Sequence, residues 1–137
     1  MTPQDLSDLH ARCFVTPRPW GVAEFKSLLS SPHVFLKTTR AGFILGRVIA
    51  DEAEILTLAV APENRRAGQA SELLKAYESE ALERNGEFSF LEVSADNDAA
   101  ILLYKKFGYI QTGCRPKYYH SPDGKDQDAL IFSRNLT

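Results

Sequence analysis

The sequence predicts an α/β (α+β) protein, a mixed, mostly antiparallel twisted sheet flanked by helices. Two helical patterns fill the first third of the chain. Two β-rich runs follow, joined by a short acidic turn, and strands then alternate with helices before a closing pair of strands. A purely doubly wound sheet would alternate from the outset, which this chain does not do. A length of 137 residues suits one compact domain over 1–137 with a single core. With 44% hydrophobic and 25% charged residues the composition is that of an ordinary globular domain, so disorder is not indicated.

The first helix spans Gln4 to Phe14, with Leu6, Leu9, His10 and Cys13 at helical spacing and Thr2 or Pro3 near its start. The segment Thr16-Pro-Arg-Pro-Trp-Gly21 breaks the chain, because two prolines and a glycine cannot continue a helix. Val22 to Leu29 is a second helix, ended by Ser30-Ser-Pro32. Val34 to Thr38 is a short strand. Gly42 to Ala50 is a longer one, which Asp51-Glu52 turns back into Ala53 to Ala61. A helix then extends to about Arg84, stopped by Asn85-Gly86, with Ala70, Leu73, Leu74, Tyr77 and Ala81 on one buried face. Phe88 to Ala95 is a strand. Asp96 or Asn97 caps the next helix, which reaches Phe107 and ends at Gly108. Tyr109 to Arg115 and Ala129 to Arg134 are the last strands. Pro116 to Asp128 reads as a polar connection turning at Pro122-Asp-Gly124.

Several function classes drop out early. A formal net charge of −2 is not that of a strongly basic nucleic-acid binder, so no direct nucleic-acid partner is expected. Cys13 and Cys114 are too few for a disulfide framework and read as free thiols in a reducing cytosol. The start Met-Thr-Pro-Gln-Asp-Leu has neither a basic nor an apolar leader region, and no apolar run approaches spanning length. A cytoplasmic protein with no membrane partner is expected. His10, His33 and His120 are scattered without cysteine or carboxylate at ligand spacing, so no metal is expected and structural roles are. Neither a Gly-Lys-Ser/Thr phosphate loop, a dinucleotide fingerprint nor a Gly-x-Ser-x-Gly elbow is present.

The turn Arg65-Arg-Ala-Gly-Gln-Ala70 stands out, between an apolar strand closed by Pro62 and the start of a helix. It is either a helix start with solvated arginines or an anion site. The first helical N–H groups lack intrahelical partners and carry partial positive charge. Gly68 and Ala70 remove bulk, and two arginines add charge.

Arg65-x-x-Gly68-x-Ala70, following Leu58-Ala-Val-Ala-Pro62, resembles the acetyl-CoA signature of the GCN5-related N-acetyltransferases (GNAT). Leu91-Glu-Val93, Asn97 and Ala100 to Tyr109 continue the likeness. Arg115-Pro-Lys-Tyr-Tyr119 and Asp128-Ala-Leu130 narrow it to the ribosomal-protein-alanine N-acetyltransferase (RimI) branch, which Pro19-Trp20 also suits. The resemblance spans Glu54 to Leu136. It implies the GNAT fold, acetyl-CoA as cosubstrate and a protein N-terminus as partner, by resemblance the alanine of small-subunit ribosomal protein S18. It also implies that the backbone of Leu58, Ala59 and Val60 bonds the pantetheine arm, with Val60 N–H polarising the thioester carbonyl. Arg65, together with the amides of Arg66, Ala67, Gly68, Gln69, Ala70 and Ser71, would cradle the pyrophosphate, and Asn97 would both cap its helix and touch the cofactor.

Glu92 matches the family's general base. Phe88, Phe90, Glu92 and Ser94 share one face of their strand, so the carboxylate is either a partly exposed strand residue or a base set in apolar surroundings. Tyr104 matches the general acid, although its stripe with Ala100, Leu103 and Phe107 alone reads as core. A phenol near pKa ~10 protonates a thiolate whose thiol lies near ~8.5 only mildly uphill. Tyr118 and Tyr119 would wall a slot for the acceptor, or pack on the sheet edge. The chain departs from the family pattern in lacking a strand before the first helix. Ala70 replaces the commoner glycine, Gln69 sits where an aliphatic residue is frequent, and Ser94 where the branch often has arginine. The expected reaction is direct attack of an amine on acetyl-CoA. The same fold could serve a lysine, another N-terminus or a small metabolite, or could bind acetyl-CoA without turnover. Glu92 and Tyr104 together argue against the last.

Overall fold

The computed structural model describes residues 1–15, 17–65 and 68–137. Helix α1 (Pro3–Cys13) begins on a capping box. Thr2 Oγ1 accepts from Asp5 N at 3.1 Å, and Asp5 Oδ2 accepts from Thr2 N at 2.8 Å, satisfying two donors that a helix start otherwise leaves open. Helix α2 (Val22–Leu29) follows, then the antiparallel strands β1 (Val34–Thr38), β2 (Gly42–Ile49) and β3 (Glu52–Val60). A 3-10 turn over Pro62–Asn64 leads toward α3 (Gln69–Glu83). Strand β4 (Phe88–Ser94), helix α4 (Asp98–Lys106) and the hairpin β5 (Ile110–Tyr119) and β6 (Gln127–Asn135) complete the chain. Among the described residues no helix is long and apolar enough to cross a membrane, and no strand precedes α1.

The predicted elements agree with these to within about two residues, except at the last hairpin. Residues 116–119, expected in the polar connection, belong to β5. Four steps along β5, from Arg115 to Tyr119, are matched by only two on β6, from Ala129 to Gln127. The excess bulges outward around Lys117, which takes φ 49, and its N–H donates to Asp128 Oδ1 at 2.9 Å. A side chain thus replaces the ladder partner that pattern reading assumed was missing.

The strand order is β1-β2-β3-β4-β6-β5, with β3 and β4 the parallel pair and the other neighbours antiparallel. Each face of the sheet has its own core. On one, α3 and α4 bury Leu73, Leu74, Tyr77 and Tyr104 against Ile44, Ile55, Leu91 and Phe132. On the other, Leu6 and Leu9 of α1 and Phe25 of α2 pack on Phe43, Leu45 and Ala59. Gly46 lets α3 settle closely, since a Cβ there would lie 2.7 Å from both Phe35 Cζ and Tyr77 Cδ1.

A polar chain runs through the first core. Tyr109 Oη lies 2.9 Å from Glu78 Oε2 and 2.8 Å from Ser89 Oγ, and Ser89 Oγ lies 2.8 Å from Tyr77 Oη. With one proton each, Tyr109 donates to the carboxylate, Ser89 to Tyr109, and Tyr77 to Ser89. Arg134 Nη1 closes the chain on Glu78 Oε1 at 3.2 Å and on the Phe107 carbonyl at 2.6 Å. Burial pushes the Glu78 carboxyl upward and both phenols well above their ordinary range. The second core is anchored by His10, which is 1% exposed. Trp20 N donates to His10 Nδ1 at 3.0 Å, which puts the imidazole proton on Nε2, donated to Thr57 Oγ1 at 3.0 Å. His10 therefore has the structural role expected of it.

Candidate active site

The site begins with an irregularity in β3. In its pairing with β2, Leu45 faces Thr57 but Gly46 faces Ile55, so Leu56 is an extra residue. Leu56 packs on the α1/α2 core, and its neighbour Thr57 bonds His10 on that same side, so two consecutive side chains point one way. The parallel ladder to β4 stops beside this bulge, its last pair being Ile55 and Leu91. Beyond it the strands part.

The opening leaves β3 backbone groups without a strand partner. Ala61 N donates to Ala41 O at 2.8 Å, so Ala61 and, two residues back, Ala59 turn their polar groups toward β2. Leu58 and Val60 then turn theirs toward the opening. The Val60 carbonyl is taken by Cys13 Sγ and by Arg65 Nε, each at 3.3 Å. That contact places Arg65 at the end of the opening, next to the start of α3. Gly68, the N-cap of α3, takes φ 81, a left-handed conformation that costs any residue with a Cβ, and a Cβ built there meets nothing within 4 Å. Glu72 N donates to Gly68 O at 3.0 Å, so the amides of Gln69, Ala70 and Ser71 precede the first helical bond of α3. The expected cradle residues Arg66 and Ala67 lie outside the described residues. A strand edge that can bond an amide-bearing arm, ending at free helical amides, fits acetyl-CoA.

Gln69 does something its position in the motif did not suggest. Its Oε1 accepts from Thr39 Oγ1 at 2.6 Å and from Ala41 N at 3.1 Å, tying the β1–β2 turn to the start of α3. An aliphatic residue could not make that tie. Asn97, rather than Asp96, caps α4, its Oδ1 accepting from Ala100 N at 3.3 Å.

Glu92 is the first residue of β4 beyond the last ladder pair and lies at the opening, on the α1/α2 side of the sheet. Its surroundings are more polar than its row with Phe88 and Phe90 suggested. Arg115 Nη2 on β5 lies 3.3 Å from Glu92 Oε1, and its guanidinium sits over the Tyr118 ring at 5.1 Å. Tyr118 and Tyr119 meet edge to face at 5.4 Å, and burial, with the charge of Glu92, pushes the Tyr119 phenol up to about 12. Glu92, Arg115, Tyr118 and Tyr119 thus form one cluster. No local signal could pair Glu92 with Arg115, because β6 lies between their strands.

Tyr104 lies on the other side, in the core under α3 and α4, edge to face with Tyr109 at 5.8 Å. Its hydroxyl bonds no other described residue. The residue keeps 5% of its surface exposed. Burial holds the phenol protonated, well above its ordinary value. Glu92 and Tyr104 are therefore on opposite faces of the sheet and can serve one reaction only through the opening between β3 and β4.

The sequence model of the acetyltransferase (GNAT) family matches residues 4–109. The chain belongs to that family. It is an acetyl-CoA-dependent N-acetyltransferase. It is 31% identical over 137 residues to the [ribosomal protein bS18]-alanine N-acetyltransferase of Escherichia coli K12, covering 94% of this chain and 92% of the relative. To the N-alpha-acetyltransferase RimI of Mycobacterium tuberculosis it is 34% identical over 125 residues, covering 85% of this chain and 77% of the relative. The crystal structure of the E. coli S18-alanine enzyme superposes with a TM-score of 0.85 at 29% identity, covering 96% of this chain and 85% of that one. Ard1 from Thermoplasma volcanium superposes at 0.82 with 30% identity, covering 100% and 95%. Arabidopsis thaliana NAA60 in complex with acetyl-CoA shares the fold at 0.83 and 18% identity, covering 97% and 92%.

Proposed function

We propose that this enzyme acetylates the N-terminal α-amine of a protein, and that its acceptor is the alanine N-terminus of ribosomal protein S18. The observation that carries the reading is the opening between β3 and β4, with a carboxylate on one face of the sheet and a buried phenol on the other. An amine can approach Glu92 without crossing the space that the cosubstrate arm needs along Leu58 and Val60. Similarity to relatives named for the S18 alanine supports the acceptor. One sheet shared by both cores supports reading 1–137 as a single N-acetyltransferase domain.

Acetyl-CoA supplies an acetyl group activated as a thioester. Leu58 and Val60 hold its arm through their backbone, Val60 N–H being the donor for the carbonyl oxygen, while Arg65 and the amides from Gly68 to Ser71 hold the anionic end. Glu92 accepts the proton that an ammonium must shed before its lone pair is available. An α-ammonium titrates near ~7.7–8.0 and a lysine near ~10.4, so a half-exposed carboxylate meets a smaller demand from the α-amine. Tyr104 donates a hydrogen bond at the departing sulfur. Its raised pKa favours that bond over early surrender of the proton.

Thiol release with an Ala-starting S18 peptide, the same peptide blocked at its amine, and a lysine peptide tests the reading. Turnover of the free peptide alone is expected. Equal turnover of the blocked peptide overturns the α-amine assignment. Glu92→Gln is expected to lower kcat by about 10²–10⁴. Full rate in both Glu92→Gln and Tyr104→Phe would overturn their roles.

A further inference from the structure

The α1/α2 face of the sheet is covered unevenly. Helices α1 and α2 pack on β1, β2 and β3, and among the described residues the half made of β4, β6 and β5 shows no comparable helix packing on that side. Phe88 and Phe90 lie there stacked, ring centroids 5.9 Å apart at 23°, and neither belongs to either core. Ile131 stands opposite Glu92 on β6, and Ile110, 66% exposed, shares the row of Ser133 and Phe90 on β5. Single exposed apolar residues need no explanation. Two stacked, partly buried phenylalanines beside a partly buried Ile131 and an exposed Ile110, with no apolar cover from either core, do, because such a patch costs solubility unless something covers it.

We propose that this face docks the acceptor polypeptide beyond its reacting amine, and so selects acceptors with apolar or aromatic side chains at their third and fifth positions. The inference rests on the α-amine reading above and adds what the enzyme reads in its substrate. Continuity with the site decides the occupant. Phe88, Phe90 and Glu92 form one row on β4, and alternate residues of a strand are about 7 Å apart. An extended acceptor advances about 3.3 Å per residue, so with its amine at Glu92 its third residue reaches Phe90 and its fifth reaches Phe88. Alternate side chains of that acceptor share a face, so both can turn toward the sheet. Nearest the site the bordering carboxylates are already matched, Glu54 by Arg47 and Glu92 by Arg115. Glu52, beside Phe88 at the far end, has no ion-pair partner among the described residues, so apolar contact is the main source of discrimination at the third position.

The test compares three acceptors with the full chain and acetyl-CoA: an alanyl dipeptide amide, an Ala-starting heptapeptide with Phe at positions 3 and 5, and the same heptapeptide with Ser there. A preference in kcat/KM of about tenfold for the Phe peptide, carried by KM, is expected, since tenfold corresponds to ~1.4 kcal/mol, part of what one buried aromatic contributes. Phe88→Ser and, independently, Ile110→Ser at the exposed edge should each reduce that ratio. Measuring a ratio within each folded variant separates docking from general damage. A ratio near one in the unmodified enzyme, or one that neither variant changes, overturns the proposal. So does concentration-dependent dimerisation that Phe88→Ser abolishes while the ratio stands, because a second copy would then be the occupant. If none of the three free-amine acceptors is acetylated, the α-amine reading fails and this inference falls with it. If the heptapeptides are turned over and their ratio is one, only the docking inference fails.

Discussion

Acidification isolates the protonation of His10. In the folded protein the ring is 1% exposed, stacked 4.4 Å from Phe14 and 5.0 Å from Trp20, with Nδ1 already occupied as an acceptor. A second ring proton would have to displace the Trp20 N–H and charge an imidazole cut off from water. Desolvation lowers its pKa from 6.5 to about 4. Glu24 opposes this only weakly, being itself held by Arg18 and the Gly21 N–H. The folded value lies below the unfolded one, so His10 contributes stability above pH 6.5 that is lost as the pH falls toward 4. The full difference corresponds to roughly 3 kcal/mol, of which about 2 kcal/mol is lost by pH 5. For a domain of this size that is a fall in Tm of roughly 8 °C. Denaturant unfolding at pH 7.5, 6.5, 5.5 and 5 on the parent and on His10→Gln gives the measurement. Carboxylates titrate in both proteins, so only the difference in slope reports the imidazole. The parent should lose about 2 kcal/mol more than the variant across that range. Equal slopes would refute the account of a neutral, doubly hydrogen-bonded His10.

Other perturbations follow from the same contacts. Tyr109→Phe removes the hydroxyl between Glu78 and Ser89 and leaves a half-buried carboxylate one donor short, so a loss of about 1–3 kcal/mol in denaturant unfolding is expected. Gly68→Ala forces a Cβ into the left-handed region at φ 81, costing about 1–2 kcal/mol if the turn persists. If the turn relaxes instead, the KM for acetyl-CoA should rise with kcat nearly kept, and an unchanged KM and Tm together would contradict the cradle. Arg115→Met breaks an ion pair whose arginine is 52% exposed, so stability should change by less than ~1 kcal/mol, and a larger loss would show the pair to be structural. Gln69→Leu, which restores the aliphatic residue frequent in the family, should cost about 1 kcal/mol through the lost bonds to Thr39 and Ala41.

The order of elements and the family were both legible in the chain, because each rests on local signals. Helical and strand periods, the Gly68 turn and the Asn97 cap lie within a few residues of what they control. Even the free edge of Leu58 and Val60 was accessible through the motif. Contacts between strands far apart in sequence were not. Leu56 looks like any strand residue, and only its pairing with β2 reveals the bulge beside which β3 leaves β4. Glu92 read as a carboxylate among phenylalanines, and only the folded hairpin brings Arg115 to it across β6. Tyr104 read as core from its helical stripe and as general acid from the family resemblance, and the structure packs its ring in the core with a hydroxyl that bonds no other described residue. By itself the sequence determined which chemistry the chain carries, since that depends on residue types at short spacing. The tertiary structure decided that the carboxylate and the phenol lie on opposite faces of one sheet, and that among the described residues α1 and α2 pack on only half of one face. Both depend on strand register and helix placement, which arise from packing across the whole chain.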